Sequence, residues 1–234
     1  MRTLLSRYIK KGKISMLTLE DFKRNEAIKT YITRADESLL TLGYTEHSFA
    51  HVTKVAEVSG YILKTLDYPE REIELARIAG YLHDIGNLVN RDNHSLSGAV
   101  MAFRLLDNMG FDAADIATIT TAIGNHDEGT GVSVNHVCAA LILADKSDVR
   151  RSRVRNTEIS SFDIHDRVNY SVRKSTLKIN EEHTIVKLKL TVDTKHSSVM
   201  DYFEIFLGRM IMCRKAAEHL GMQFKLIINE QQVI

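Results

Sequence analysis

An imidazole and a carboxylate stand side by side at His83 and Asp84, at the end of the apolar run AGYLHDIGN over residues 79–87. Burying both is costly unless something binds them. Ile73, Ala76, Gly80 and His83 fall on one helical face, with Asp84 turned about a quarter of the way round and Gly86 ending the run. In HVTKVAEVSGYIL, Val55, Val58 and Ile62 follow His51 at helical spacing, so His51 shares the buried stripe. In VCAALILADKSD, Val137, Leu141 and Asp145 lie on one line. Three helices thus each carry a His or Asp inward near a helix end. A cation that neutralises the carboxylates and accepts the imidazole lone pairs makes their joint burial tolerable.

The elements that must position these groups follow from the apolar spacing. From about Leu19 to about Val149 it is helical almost throughout, with breaks at Gly43, Pro69, Gly86, Gly110 and the Gly129/Gly131 pair. Four arginines follow, Arg150, Arg151, Arg153 and Arg155, and then a polar stretch, NTEISSFD. Beyond it TLKIN and HTIVKLKLTVD alternate, with Val186, Leu188, Leu190 and Val192 on one face and a turn at Asn180–Glu182. A long helix, SSVMDYFEIFLGRMIMCRKAAEHL, closes at Gly221, and QFKLIIN reads as a last strand. The expected fold is mainly α: an all-helical bundle over 19–155 followed by a small ββαβ α+β unit within 156–234, with a basic N-terminal arm over 1–18.

Composition restricts the function classes. The 234 residues are 44% hydrophobic and 26% charged, with one proline, as in an ordinary globular chain. The net charge of +1 gives no support for a general nucleic-acid or membrane binder. The longest apolar stretches are too short to span a bilayer, and the N-terminus lacks the apolar core and cleavage site of a secretory signal. Cys138 and Cys213 both lie in apolar helical patterns and read as buried thiols, with the cytoplasm as the default compartment.

The ordered set His51, His83-Asp84 and Asp145, with Lys146 next to the last ligand, resembles the HD superfamily of metal-dependent phosphohydrolases over about residues 40–150. The resemblance implies that these four residues ligate a metal. It adds His94, in HSLSGA, and His126, in AIGNHDEG, as two further ligands typical of the binuclear branch, where the residue matching Asp84 bridges both ions. HDIGN in place of HDIGK, Asn125-His126 in place of a paired HH and the lack of a GYP triplet set the chain apart from the cyclic-di-GMP branch. His47 reads as an exposed polar residue or one reaching the site from a turn before His51, and His136 falls out of phase with the ligand stripe.

The implied activity is hydrolysis of a small phosphorylated substrate, a nucleotide or related phosphate ester or anhydride, by a metal-activated hydroxide. Two divalent ions are implied, iron or manganese in preference to zinc, cobalt, nickel or magnesium. Asp84 and Lys146 take catalytic roles in that reading, with Lys146 or an arginine at the oxyanion. Arg150 and Arg151, nearest Asp145 in sequence, are the arginines assigned to substrate phosphates. The same ligand set also resembles the HD-type di-iron oxygenases, and a metal-binding sensor without turnover is a third reading. The ββαβ unit carries no chemical motif and is available to lid the site, recognise substrate or form a homo-oligomer.

Overall fold

The computed structural model describes residues 17–233, so the N-terminal arm, apart from its last two residues, lies outside the described residues. Helix α1 (Leu19–Arg24) and α2 (Glu26–Thr41) lead into α3 (Phe49–Thr65) and α4 (Glu70–Leu82), followed by a 3-10 turn (Ile85–Leu88). Then come α5 (His94–Met109), α6 (Ala113–Gly124) and α7 (His136–Ser147). Boundaries fall where local chemistry places them. Ser48 Oγ accepts from Ala50 N at the start of α3, Asn135 Oδ1 accepts from Cys138 N at the start of α7, and α5 closes on Gly110 at φ +81°.

The C-terminal part contains more helix than the sequence pattern suggests. Two 3-10 turns (Arg151–Arg153 and Ile159–Ser161) precede α8 (Ile164–Ser171), which the polar stretch after the arginines does not announce. Strands β1 (Val172–Ile179) and β2 (Ile185–Val192) form the expected antiparallel hairpin. Helix α9 (Val199–His219) returns the chain to β3 (Gln223–Ile228), which pairs parallel to β2. A two-residue β4 (Gln231–Gln232) completes a sheet of order β1-β2-β3-β4. Val186, Leu188, Leu190 and Val192 are all buried, as their alternation requires.

Helix α9 packs on β3 with one side and on α7 with another. One cluster of buried apolar side chains therefore runs from Phe22 and Ile28 through Leu141 to Phe206 and Leu226. This docking brings the C-terminal unit to the ligand-bearing end of the bundle. Cys138 and Cys213 are free, buried thiols. Among the described residues no helix is long and apolar enough to cross a membrane.

Candidate metal centre

The six residues singled out for metal binding converge from five segments. His51 lies in the first turn of α3, His83 and Asp84 just past α4, His94 at the first position of α5, His126 after the end of α6, and Asp145 in the last turn of α7. All but Asp145 are buried, and Asp145 is largely so. Close backbone packing holds this arrangement. A Cβ at Gly80 would stand 2.8 Å from the backbone of Ala56, so glycine lets α3 and α4 approach and bring His51 to His83. A Cβ at Gly86 would meet His94 O at 2.0 Å and Gly98 N at 2.4 Å, so glycine is required where the turn after Asp84 passes the start of α5.

The hydrogen bonds of the imidazoles fix their tautomers. Nδ1 donates to the carbonyl three residues back in His83 (Gly80 O, 2.8 Å), His94 (Arg91 O, 3.1 Å) and His126 (Ile123 O, 2.6 Å). His51 Nδ1 faces the carboxylate of Asp148 at 2.8 Å. Carbonyls and carboxylates accept only, so in each neutral ring the hydrogen is on Nδ1 and Nε2 offers a bare lone pair. The Nε2 atoms of His51 and His83 are 3.3 Å apart, and so are those of His94 and His126. Two ligands at right angles about 2.1 Å from one ion would stand about 3.0 Å apart, close to these spacings.

The carboxylates stand among these nitrogens. Asp84 Oδ2 is 3.1 Å from His83 Nε2 and 3.4 Å from His51 Nε2, and Oδ1 is 3.5 Å from His94 Nε2. Asp145 Oδ1 is 3.4 Å from His51 Nε2 and 3.7 Å from His83 Nε2. Despite its neighbours, the buried Asp84 Oδ2 takes part in no hydrogen bond. An orphaned buried carboxylate oxygen facing imidazole lone pairs fits a cation. Two overlapping ligand groups, His51/His83/Asp145 and His83/Asp84/His126, have donor atoms within 4.8 Å of one another.

Titration behaviour follows the same charges. Burial disfavours the imidazolium of His83, yet Asp84 and Asp145 outweigh it and push the pKa up to about 10. Burial, with His83 and Lys146 nearby, drives His126 down to about 3, so it is neutral and ready to ligate. The carboxyls of Asp84 and Asp145 resist the upward pull of burial and are held well below the usual range, Asp84 chiefly by His83 and Asp145 chiefly by Lys146.

The other residues assigned from sequence divide into two groups. Lys146 is buried beside the ligands, with Nζ 2.7 Å from Asp145 Oδ2 and 3.4 Å from Glu128 Oε2. Arg150 and Arg151 do not line the cavity over the ligands. Arg150 pairs with Asp148 and Glu46, both at 3.0 Å, and Arg151 donates to Tyr170 O at 2.7 Å and lies over the Tyr170 ring. The member of the cluster that lines the cavity is Arg153, because a 3-10 turn rotates successive side chains by about 120°. His47 is half-buried and lines the cavity rather than standing exposed, while His136 pairs with Glu72 away from it.

A cavity of about 380 Å³ opens over Asp84, His94, His126 and Asp145. Sequence reasoning missed several of its supports. Asp148, fully enclosed, orients His51 and receives Lys54 at 2.7 Å and Arg150 at 3.0 Å. Its position three residues after Asp145 in ADKSD is the only signal the sequence offered. Glu128 receives Lys146 from α7 and Arg209 from α9 (2.5 Å), and those two cations hold its pKa down to about 2 against the upward pull of burial. The C-terminal part adds Asp163, His165, Asp166 and Asn169, near and within α8, and Phe206 and Arg209 of α9.

The HD domain family model matches residues 48–203, about two thirds of the chain, and all six converging residues lie inside the match. The chain belongs to the HD domain family. The match runs past the arginine cluster, through α8 and the hairpin into α9. Among relatives of this HD domain protein, the uncharacterized protein MJ1020 of Methanocaldococcus jannaschii is 25% identical over 196 residues, covering 74% of this chain and 75% of that protein. The crystal structure of a predicted HD superfamily hydrolase from an uncultured Thermotogales bacterium is 25% identical and covers 58% of this chain and 75% of that chain, with a TM-score of 0.40.

Proposed function

We propose that the chain is a metal-dependent phosphohydrolase that cleaves a nucleotide or related phosphate ester or anhydride. The observation that carries this reading is the set of four imidazoles whose Nδ1 hydrogens are already engaged and whose Nε2 atoms gather around Asp84, those of His51 and His83 at its orphaned Oδ2, that of His94 at Oδ1, and that of His126 3.3 Å from His94 Nε2. One ion would be held by His51, His83 and Asp145 and a second by His94 and His126, with Asp84 shared. Imidazole and carboxylate donors without thiolate suit iron or manganese. Bound ions of this kind act as Lewis acids toward a phosphoryl oxygen and bring the pKa of bound water toward neutrality.

The chain's own residues supply the rest. Asp84 stays ionised and presents one oxygen to each half of the imidazole set. Lys146 holds Asp145 ionised and adds positive charge to the cavity wall. Arg153 donates Nε to Glu46 O and Nη1 to Asp148 O, both at 2.9 Å, while its Nη2 has no acceptor among the described residues and stands ready for a phosphoryl oxygen. The cavity is lined by four lysine or arginine cations, Arg91, Lys146, Arg153 and Arg209, against six carboxylates. That balance is negative without ions and positive with two divalent ones, which suits a dianionic phosphate only after loading.

The test is phosphate release by the iron- or manganese-loaded protein across phosphomonoesters, phosphodiesters and nucleotides, in air and under nitrogen, beside Asp84→Asn. Release in both atmospheres by the wild type and its loss in the variant are expected. No release from any substrate, or turnover that requires oxygen, would refute the proposal, the latter in favour of the di-iron oxygenase reading.

A further inference from the structure

The cavity is lined by two chemically different sets of side chains. Beside the candidate metal ligands stand Arg153, with a free Nη2, and Lys146, which donate. The wall formed by α8 accepts. Asp166 and Asn169, three residues apart, share a face of that helix, and each is more than nine-tenths buried. Asn169 donates Nδ2 to His165 O at 2.9 Å, which leaves its Oδ1 with no donor among the described residues. Asp166 Oδ2 receives Asn156 Nδ2 at a long 3.4 Å, and its Oδ1 has no donor among the described residues. Both residues line the cavity, and neither free oxygen is closed off from open space. Unpaired acceptors on largely buried side chains are costly unless a ligand or water donates to them.

The charge pattern agrees. Burial and the neighbouring carboxylate of Asp163 push the pKa of Asp166 up against the opposing pull of Asn156 and His165. Phe206, on the same cavity surface, offers an apolar ring. A ligand with acceptors alone would leave the free oxygens of Asp166 and Asn169 unpaired, and a purely hydrocarbon one would leave both dry.

We infer that the cavity takes a phosphate ester that also carries N–H donors, an amine or an amino-substituted heterocycle, read by Asp166 and Asn169. The phosphate placement rests on the phosphohydrolase reading above; the recognition of N–H donors rests on α8 alone. Asp166 and Asn169 are thus specificity-determining residues outside the ligand set.

Matched pairs test this on the metal-loaded full chain: O-phosphoethanolamine against ethyl phosphate, and adenosine monophosphate against purine riboside monophosphate, which lacks the amino group. Equilibrium binding and kcat/KM are both measured. The wild type is expected to favour the N–H-bearing member of at least one pair by about tenfold, as a hydrogen bond to a charged or buried acceptor warrants. In Asp166→Ala and in Asn169→Leu the ratio should fall to within about twofold with metal content unchanged, while Asn169→Asp, which keeps the acceptor, retains it. Equal binding of both members of each pair by the wild type, binding of none of the four, or a ratio untouched in both disrupting variants would overturn the inference. A binding preference without hydrolysis would sustain it while refuting the phosphohydrolase reading, and hydrolysis without preference would do the reverse.

Discussion

Replacing Asp148 by asparagine isolates the role of a residue that touches neither a proposed ion nor the cavity. Its Oδ2 faces His51 Nδ1 at 2.8 Å, and its Oδ1 receives Lys54 at 2.7 Å and Arg150 at 3.0 Å. An amide of the same shape has one acceptor oxygen and one NH2. If the NH2 faces His51, the ring must move its hydrogen to Nε2 and loses the lone pair it would offer an ion; if the NH2 faces Lys54 and Arg150, donors meet donors. Loss of such an orienting partner typically costs 10–100-fold in metal affinity. Breaking a buried ion pair costs about 3–5 kcal/mol, and the low end applies because Lys54 and Arg150 both reach water. About 3 kcal/mol corresponds to a fall in Tm of roughly 6–12 °C for a chain of this size. Thermal unfolding of the chelated protein reads the stability change, and metal titration at a temperature where the variant is folded reads the affinity. A lowered Tm with unchanged affinity would refute the claim that Asp148 sets the tautomer of His51.

Three further outcomes follow from the same geometry. Gly86→Ala, whose Cβ would collide with the backbone at His94 and Gly98, should displace the start of α5 and lower the bound metal from about two ions per chain to about one, measurable by elemental analysis; unchanged stoichiometry would contradict the proposed role of His94. Arg153→Lys should raise KM for a phosphate substrate by about tenfold, because an ammonium cannot reproduce the two backbone bonds and the free third donor, whereas Arg150→Ala should leave KM within about threefold. Glu128 has a folded pKa of about 2, below its ordinary 4.5, so it contributes stability that is present above pH 4.5 and lost as pH falls toward 2; Glu128→Gln should lower Tm at pH 7 and flatten its decline across that window.

The helical half was legible because periodicity and glycine breaks act locally: the stripes through His51, His83 and Asp145 point inward in the fold as their spacing required. His94 and His126 were reached through resemblance, since each stands at a helix end where periodicity says little. The strands were readable from alternation, but α8 was not, because its polar stretch gains its helical form from the Asp163 cap and from packing beside the arginine turn. The choice of Arg153 over Arg150 and Arg151 depends on a 3-10 turn that no composition signal marks. Arg209 and Phe206 reach the site only because α9 docks on α7, a contact between residues roughly sixty apart that helical pattern leaves open.

Metal content of protein produced with iron or manganese and purified without chelator tests the central claim most directly. Two ions per chain in the wild type and one or fewer in Asp84→Asn are expected. A well-folded wild type that retains no divalent ion, with its four imidazoles protonated or hydrogen-bonded at Nε2 by nitrogen NMR, would contradict it.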